Sequence, residues 1–224
     1  INEALQEFVV EESPEYPALY KAAHYALNSG GKRLRPMLTL ATAEVFDANP
    51  QHALVPSCCI EAVHTYSLIH DDLPCIDDDE MRRGKPTIHV IYDEGHAVLT
   101  GDYQLTLAFE KLGKASFLSE TQKLQLIIAL AEGAGGNGMI GGQMMDISTE
   151  NQSFDLNALQ LMHLKKTGAL IRTSILFGAI IGKGSREALA LLTLFGDEVG
   201  IAFQIIDDVL DATNSSDAAH GKTT

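Results

Sequence analysis

The feature that most constrains the fold of this chain is a series of long apolar stretches with helical spacing, divided by turn residues. These stretches are rich in alanine, leucine and glutamine, which favour helices, and they lack the alternating valine, isoleucine and threonine of a half-buried strand. We find no convincing strand pattern. Apolar faces this broad predict a single all-α bundle over residues 1–224, in which central helices are covered on several sides.

Individual helices can be placed from apolar spacing and from the signals that begin and end helices. Ser119, followed three residues later by Gln122, has the capping-box pattern and is expected to open a helix. Asp155 is expected to begin another helix, which runs to about Gly182. The other predicted helices cover residues 55–72, 99–112 and 186–211, and a loop that is first acidic and then basic covers residues 77–86.

Composition and charge exclude several classes of protein. With 16 basic and 30 acidic side chains the net charge is −14, which argues against a nucleic-acid-binding chain. Three cysteines without a C-x-x-C pair predict neither a disulfide framework nor a zinc ribbon, so we expect a reducing, cytoplasmic setting. No uninterrupted apolar run reaches the roughly 18 residues of a membrane span. The chain starts at Ile1 and stops in a polar stretch, so we expect it to be cut from something longer at both ends.

Two clusters of carboxylates are the strongest functional signal in the sequence. Six of the ten residues from Asp71 to Glu80 are acidic, at the expected end of an apolar helix, and such crowding is unfavourable unless cations neutralise it. In the second cluster Asp207 and Asp211, four residues apart, share a helix face, and Gln204 lies one turn earlier on nearly that face. Hard carboxylate oxygens on adjacent turns suit magnesium, which takes the rest of its shell from water and a substrate phosphate.

Either cluster alone is also explained as a solvated acidic helix end. That explanation is weaker for the second cluster, because Phe203, Ile206 and Val209 surround it with residues typical of a core. Carboxylates in such surroundings need a charged partner. Together, the two clusters predict opposed acidic walls that hold a diphosphate through bridging metal ions.

Basic residues occur where a bound anion would need them, although the chain as a whole is acidic. Lys32 and Arg35 follow a double glycine, and Arg82 and Arg83 follow the first acidic cluster directly. Arginine offers a planar fork to phosphate oxygens, and lysine a mobile point charge. Local pairing of the two adjacent arginines with residues 77–80 is the alternative.

Two further positions align with these clusters. His64 lies two helical turns before Asp71 and therefore on the same helix face, which favours a ligand contact over a satisfied core histidine. Lys166 and Thr167 lie in the middle of a predicted helix. An exposed lysine that extends its ammonium group into solvent is the alternative there.

The order of these motifs resembles that of the trans-isoprenyl diphosphate synthases, and most closely the bacterial farnesyl diphosphate synthases. The resemblance covers residues 30–222. It is carried by five ordered motifs: GKRLRP at 31–36, DD at 71–72 before Asp77, DDDEMRRG at 77–84, KTGAL at 166–170 and FQIIDDVLD at 203–211. It implies antiparallel helices around a deep central cavity, a homodimer, and magnesium-dependent head-to-tail condensation of isopentenyl diphosphate with dimethylallyl or geranyl diphosphate.

The resemblance also implies roles for individual residues of this chain. It implies three magnesium ions, held by Asp71, Asp72 and Asp77 on one side and by Asp207, Asp208 and Asp211 on the other. The allylic diphosphate would be bound by Arg82, Lys166, Thr167, Gln204 and Lys222, and isopentenyl diphosphate by Lys32, Arg35, His64 and Arg83. Of these residues, Lys166, Thr167 and Gln204 would also be catalytic, because their oxygen atoms can face an allylic cation.

Product length is expected to depend on how far an apolar pocket runs below the first acidic cluster. Tyr66 lies five residues before Asp71, about 7.5 Å along the helix at 1.5 Å per residue, and Ser67 is its neighbour. An aromatic residue here resembles the pattern of fifteen-carbon producers, so we expect farnesyl diphosphate, with geranylgeranyl or geranyl diphosphate as the alternative. An ordinary packed residue is the other explanation of Tyr66.

Three proteins of other classes share part of this pattern. A terpene cyclase would share the first aspartate motif but carry an Asn/Ser/Glu type of second motif, and it would lack the site of Lys32 and Arg35. A noncatalytic subunit of a heteromeric prenyltransferase can lose aspartates, whereas both clusters are complete here. A generic acidic cation-binding protein would need neither residues 31–36 nor Lys166.

Overall fold

The structure is a computed structural model that describes residues 1–11, 13–149 and 155–214, with the backbone alone for residues 149, 208 and 211–214. These residues are mostly helical, which confirms the all-α prediction. The helices are α1 Asn2–Gln6, α2 Pro17–Leu27, α3 Leu34–Val45, α4 Pro50–Asp71, α5 Ile88–Ile91, α6 Glu94–Lys114, α7 Glu120–Ala134, α8 Met139–Thr149, α9 Leu156–His163, α10 Ala169–Ile181 and α11 Arg186–Asn214. A π-helical turn, Leu164–Gly168, joins α9 to α10, and two short strands, β1 Met81–Arg82 and β2 Lys85–Pro86, follow α4.

Side-chain caps begin two helices at the positions that the sequence predicted. The Ser119 hydroxyl accepts the backbone N–H of Gln122, and the Gln122 side chain accepts the N–H of Ser119, so the capping box before α7 is confirmed. Asp155 caps α9 by accepting the N–H of Ala158 at 2.7 Å. Such caps satisfy donors that the first turn of a helix leaves without a partner.

The central helix of the bundle is α4, which packs against α1, α2, α3, α6 and α10. All residues from Pro56 to Val63 are buried, because neighbouring helices surround this part of α4. Cys58 and Cys59 lie in this segment and, like Cys75, form no disulfide. On the other side of the core, α10 packs between α3, α7 and α11. The acidic C-terminal end of α4 therefore follows directly on a segment that is packed on several sides.

The expectation of no strands is wrong in one place, the loop of residues 77–86. Its two strands pair antiparallel, with Arg82 opposite Lys85. Arg83 and Gly84 at the turn have φ of 54° and 74°, the left-handed values of a type I′ turn, whose twist matches that of the strands. Two residues per strand are too few to produce an alternating pattern in the sequence.

One helix bears on the prediction that the chain has no membrane span. By length and composition alone, residues Arg186–Asp207 of α11 are apolar enough to cross a membrane. Asp197 and Glu198 interrupt this stretch, so it contains no uninterrupted apolar run of the length of a membrane span. A single apolar helix is weak evidence of a membrane protein, and only 11% of this stretch is buried within the protein.

Candidate active site

The residues predicted to bind isopentenyl diphosphate come together around one cavity of about 350 Å³. Lys32 lies in the loop before α3, Arg35 in the first turn of α3, His64 in α4 and Arg83 in the hairpin turn. The cavity is also lined by Gly31, Arg33, Leu34, Glu61, Leu68, Arg82, Phe203 and Asp207. Elements that are far apart in the sequence thus surround a single space with basic side chains, which suits an anion.

Burial changes the charge properties of two side chains in this cavity. It lowers the pKa of Arg35 to about 10, and the carboxylate of Glu61 partly opposes that shift. Burial, together with the charges of Arg35 and Arg83, lowers the pKa of His64 well below 6.5. The imidazole is therefore neutral at neutral pH and offers a hydrogen bond rather than a charge.

The double glycine before Lys32 is needed for the position of Arg83. Gly30 and Gly31 have φ of 100° and 116°, left-handed values that glycine adopts without steric cost. Arg83 donates from Nη1 to the carbonyl oxygen of Gly30 at 2.5 Å. A Cβ on residue 31 would lie 2.6 Å from Cζ of this guanidinium group. The glycines therefore allow the hairpin turn to contact the loop that carries Lys32.

The first acidic cluster lies at the C-terminal end of α4 and in the turn that follows. The backbone carbonyl of Asp71 accepts the N–H of Asp77 at 2.9 Å, which folds the turn back on the helix. Burial raises the pKa of Asp71 to about 7 and also raises the pKa of Asp77. The positive charge of Lys166 opposes both shifts. Repulsion from the Asp77 carboxylate raises the pKa of Asp71 further. Crowded carboxylates with a raised pKa gain from a neighbouring cation.

Arg82 pairs with carboxylates of this same cluster. Its Nε contacts Asp72 at 2.5 Å and its Nη2 contacts Asp79 at 3.0 Å, so the local pairing that the sequence left open occurs for Arg82. Asp72 is 5% exposed. The metal contact predicted for Asp72 and the diphosphate contact predicted for Arg82 both require this ion pair to rearrange.

The carboxylates of the first cluster fit magnesium better than a metal that proteins enclose completely. Among the described residues, no group of three or more His, Cys, Asp or Glu side chains is arranged to hold a metal ion. Magnesium commonly takes one or two carboxylates and completes its shell with water and substrate phosphates. Asp71 and Asp77 supply hard oxygen donors of this kind, so the site suits a magnesium ion whose shell a diphosphate completes.

Lys166 and Thr167 lie on the π-helical turn rather than in a regular α-helix. Turns of this kind occur frequently at functional sites. Thr167 donates from Oγ1 to Oε1 of Gln204 in α11 at 3.0 Å. Asp207, which lines the basic cavity, follows Gln204 by one helical turn. The predicted catalytic residues of two distant segments are therefore in direct contact.

The ammonium group of Lys166 connects this turn to the first acidic cluster. It forms an ion pair with Asp146 of α8, and its charge also acts on Asp71 and Asp77. The π-helical turn therefore lies near both the first acidic cluster and the segment of α11 that carries Gln204 and Asp207.

Two glycines bring neighbouring helices against the π-helical turn. A Cβ on Gly200 of α11 would lie 2.5 Å from Cα of Gly168, and a Cβ on Gly142 of α8 would collide with the backbone of Lys166. Both helices can approach closely because neither glycine has a side chain. The close approach of Gly200 to Gly168 lets α11 lie near enough for Gln204 to contact Thr167.

Tyr66 is a packed residue of the main core, with its side chain 5% exposed. Its ring meets that of His70 edge to face at a centroid distance of 5.7 Å, and its hydroxyl is buried without a hydrogen-bond partner among the described residues. Ser67 is half-buried, and its hydroxyl donates to the carbonyl of His64 at 2.9 Å. The structure therefore agrees with a packed Tyr66 and leaves its role in product length as a prediction.

Sequence reasoning missed Arg33, Glu61 and Asp146. Asp146 is an acidic residue in the apolar helix α8, and no motif in the sequence pointed to it as the partner of Lys166. Glu61 and Arg33 form an ion pair of 2.7 Å next to the basic cavity. Of the predicted residues, Lys222 lies outside the described residues, as do the side chains of Asp208 and Asp211.

Comparison with known proteins agrees with this geometry. The model of the polyprenyl synthetase family matches residues 16–224. The chain is 42% identical over its whole length to the chloroplastic geranylgeranyl pyrophosphate synthase of Capsicum annuum, and it spans 60% of the length of that protein. It is 40% identical to the farnesyl diphosphate synthase of Escherichia coli K12, over 96% of this chain and 73% of that protein. The apo crystal structure of an FPP/GFPP synthase from Zymomonas mobilis matches with a TM-score of 0.90 at 40% identity, over 94% of this chain and 77% of that one.

Proposed function

Because this chain belongs to the polyprenyl synthetase family, we propose that it joins isopentenyl diphosphate head to tail to an allylic diphosphate and that the product is farnesyl diphosphate. The observation that carries this proposal is the meeting of Lys32, Arg35, His64 and Arg83 around one cavity. Carboxylates suited to magnesium lie beside that cavity. The basic cavity is therefore suited to the diphosphate of one substrate, and the carboxylates with bound magnesium would be suited to the diphosphate of the other.

Isopentenyl diphosphate binds in the basic cavity. The Nε of Arg35 is buried without a partner among the described residues, so a diphosphate oxygen provides the acceptor that the protein does not. Lys32 and Arg83 are exposed and add positive charge. The neutral imidazole of His64 adds a hydrogen bond without further repulsion among the cations.

The allylic diphosphate binds between the first acidic cluster and the π-helical turn. Asp71, Asp77 and Asp207 would hold magnesium, three ions in all, and that magnesium would neutralise charge on the departing diphosphate. Lys166 adds its ammonium group once it exchanges Asp146 for a phosphate oxygen. Both partners of that ion pair are partly exposed, so its loss costs little.

The residues around the allylic carbon stabilise the positive charge that forms when its C–O bond breaks. The Thr167 hydroxyl donates a hydrogen bond to Oε1 of Gln204, so the lone pairs of the hydroxyl oxygen are available to face the cation. The backbone carbonyl of Lys166 acts in the same way, and an apolar pocket excludes water that would capture the cation. The double bond of isopentenyl diphosphate then attacks the allylic carbon, and the proton that is lost goes to the released diphosphate.

Tyr66 supports a fifteen-carbon product. Its bulky ring lies in α4, five residues before Asp71, where it limits the depth available to a growing chain. The alternative product is geranylgeranyl diphosphate, which the name of the Capsicum annuum relative favours.

A condensation assay with labelled isopentenyl diphosphate and magnesium tests the proposed function. Dimethylallyl, geranyl and farnesyl diphosphate are offered separately, and the products are identified by chromatography after dephosphorylation. We expect farnesyl diphosphate from the first two partners, and no product when EDTA is present. A twenty-carbon product would replace the proposed product by geranylgeranyl diphosphate. A hydrocarbon formed without isopentenyl diphosphate, or activity that appears only with a second subunit, would refute the proposal.

The expected homodimer and cytoplasmic location stay predictions. Light scattering after size-exclusion chromatography tests the first, since a dimer has twice the mass of one chain. Activity in the cytosolic fraction of the source cell, and none in the membrane fraction, is the result expected for the second.

A further inference from the structure

In the sequence, Arg33 lies between Lys32 and Arg35, two predicted ligands of isopentenyl diphosphate, yet its own side chain points into the protein. Its φ is 52°, a left-handed value, and its side chain is 9% exposed. Nη1 contacts the carboxylate of Glu61 in α4 at 2.7 Å, and the Glu61 side chain is only 2% exposed. A buried ion pair thus lies directly beside the basic cavity, which both residues help to line.

All three nitrogen atoms of the Arg33 guanidinium group have acceptors within the protein. Besides the contact with Glu61, Nη2 donates to the carbonyl of Leu27 at 2.9 Å and Nε donates to Oδ1 of Asn2 at 3.3 Å. These contacts join the loop before α3 to α4, to the end of α2 and to α1. A guanidinium group held at each nitrogen is suited to fix the backbone around it rather than to bind a substrate.

Glu61 is also placed to balance the charge of the cavity. It precedes His64 by three residues on α4, and its negative charge favours the charged forms of Arg35 and Arg83 against the effect of burial. Without a fixed negative charge, several cations in a partly buried space would repel one another. The charge of Glu61 therefore reduces this repulsion in the absence of substrate.

We propose that Arg33 and Glu61 form one positioning unit, which holds the loop of residues 30–35 so that Lys32 and Arg35 are directed at isopentenyl diphosphate before it binds. Lys32 precedes Arg33 by one residue and Arg35 follows it by two, so anchoring the Arg33 backbone determines where both cations emerge. This inference rests on the proposed function, because it assigns the basic cavity to isopentenyl diphosphate.

The test replaces the ion pair in two ways. Glu61→Gln removes the charge but leaves Arg33 buried without its partner, which destabilises proteins strongly and can prevent folding. The double variant Arg33→Met with Glu61→Leu removes both charges, and replacing a buried pair by apolar residues commonly preserves the fold. The matched control is the double variant Arg172→Met with Asp197→Leu, which removes another ion pair of 2.7 Å, between α10 and α11.

Steady-state kinetics and calorimetric titration with isopentenyl diphosphate provide the readouts. We expect the double variant at positions 33 and 61 to raise both the KM and the Kd for isopentenyl diphosphate by about tenfold or more, since misplacing binding groups by about 1 Å can cost that much or more. The KM for the allylic diphosphate should stay within twofold of the wild type. The control should change neither constant. A merely structural role would instead change both KM values and kcat together.

Two results would overturn the inference. One is an unchanged affinity for isopentenyl diphosphate in the folded double variant. The other is a weakened affinity in Arg33→Met alone with a normal affinity in Glu61→Leu alone, which would make Arg33 a direct ligand. Titration of the wild-type protein separates a failure of the inference from a failure of the proposed function. If the wild type binds isopentenyl diphosphate but forms no product, the proposed function alone is refuted. If the wild type does not bind isopentenyl diphosphate, the inference is refuted as well.

Discussion

Replacing Tyr66 by alanine tests how the chain limits the length of its product. Truncating a buried aromatic residue to alanine costs about 3–5 kcal/mol of stability. The Tyr66 hydroxyl is buried without a partner among the described residues, so its removal recovers about 1 kcal/mol. The net loss of about 2–4 kcal/mol is smaller than the roughly 5–15 kcal/mol of a typical domain. We therefore expect the variant to fold at room temperature.

The product of this variant should be longer than that of the wild type by at least one five-carbon unit. The reason is that loss of the ring, which is 5% exposed, opens space beside α4 below the first acidic cluster. Tyr66→Phe is the matched control, because it keeps the ring and removes only the unpartnered hydroxyl. It should leave product length unchanged and stability equal or about 1 kcal/mol higher.

Chromatography of dephosphorylated products and thermal unfolding followed by circular dichroism give both results from the same preparations. A folded Tyr66→Ala protein with the wild-type distribution of chain lengths would refute the reasoning. An equal lengthening in Tyr66→Phe would do so as well, because the hydroxyl and not the ring would then limit the chain.

Three further predictions concern the site. The Gly31→Ala variant should have a much higher KM for isopentenyl diphosphate than the control variant Gly30→Ala. Both glycines have a left-handed φ, but only a Cβ on residue 31 would collide with the Arg83 guanidinium group. Equal KM values in the two variants would contradict this reasoning. Asp146→Asn should lower the KM for the allylic diphosphate, because it frees Lys166 from an ion pair that the substrate must otherwise break, while stability changes by less than about 1 kcal/mol; a raised KM would contradict the proposed exchange of Asp146 for a phosphate oxygen. In the metal-free protein, the pKa of Asp71 is raised from 3.8 to about 7. Between these two values the folded state keeps a proton that the unfolded state has lost. The free energy of unfolding should therefore fall as the pH rises from 3.8 to about 7. Asp71→Asn should lack this component in thermal unfolding with EDTA, and parallel pH profiles of the two proteins would refute the assignment.

Local patterns in the sequence predicted the long helices α4, α6, α7 and α11 and the segment of α9 and α10, but they did not locate α1, α2, α3, α5 or α8. The capping box of Ser119 and Gln122 and the cap of Asp155 lie where they were predicted, because a cap involves groups only a few residues apart. The hairpin at residues 81–86 escaped notice, because two strands of two residues leave no periodic pattern. The π-helical turn also escaped notice, because its residues look like those of an ordinary helix.

The partners of the site residues were much harder to predict than the residues themselves. The motifs predicted that Thr167 and Gln204 belong to one site, and these side chains are in contact although 37 residues separate them. Arg82 is predicted to bind a diphosphate, and the sequence did not indicate the ion pair that it forms with Asp72. Asp146 was overlooked as the partner of Lys166, because a single acidic residue in an apolar helix has no local signal of what it faces.

The sequence by itself determined the helical class of the protein, the caps of its helices and the kinds of side chain available for diphosphate chemistry. These properties depend on spacing along a few turns, and the period of a helix relates spacing to geometry directly. Only the tertiary structure decided that Arg33 is held by Glu61 and that Lys32, Arg35, His64 and Arg83 surround one cavity. Those contacts depend on how α1, α2, α3, α4 and the hairpin pack against one another, and the free energy of that packing is distributed over the whole core rather than within any one segment.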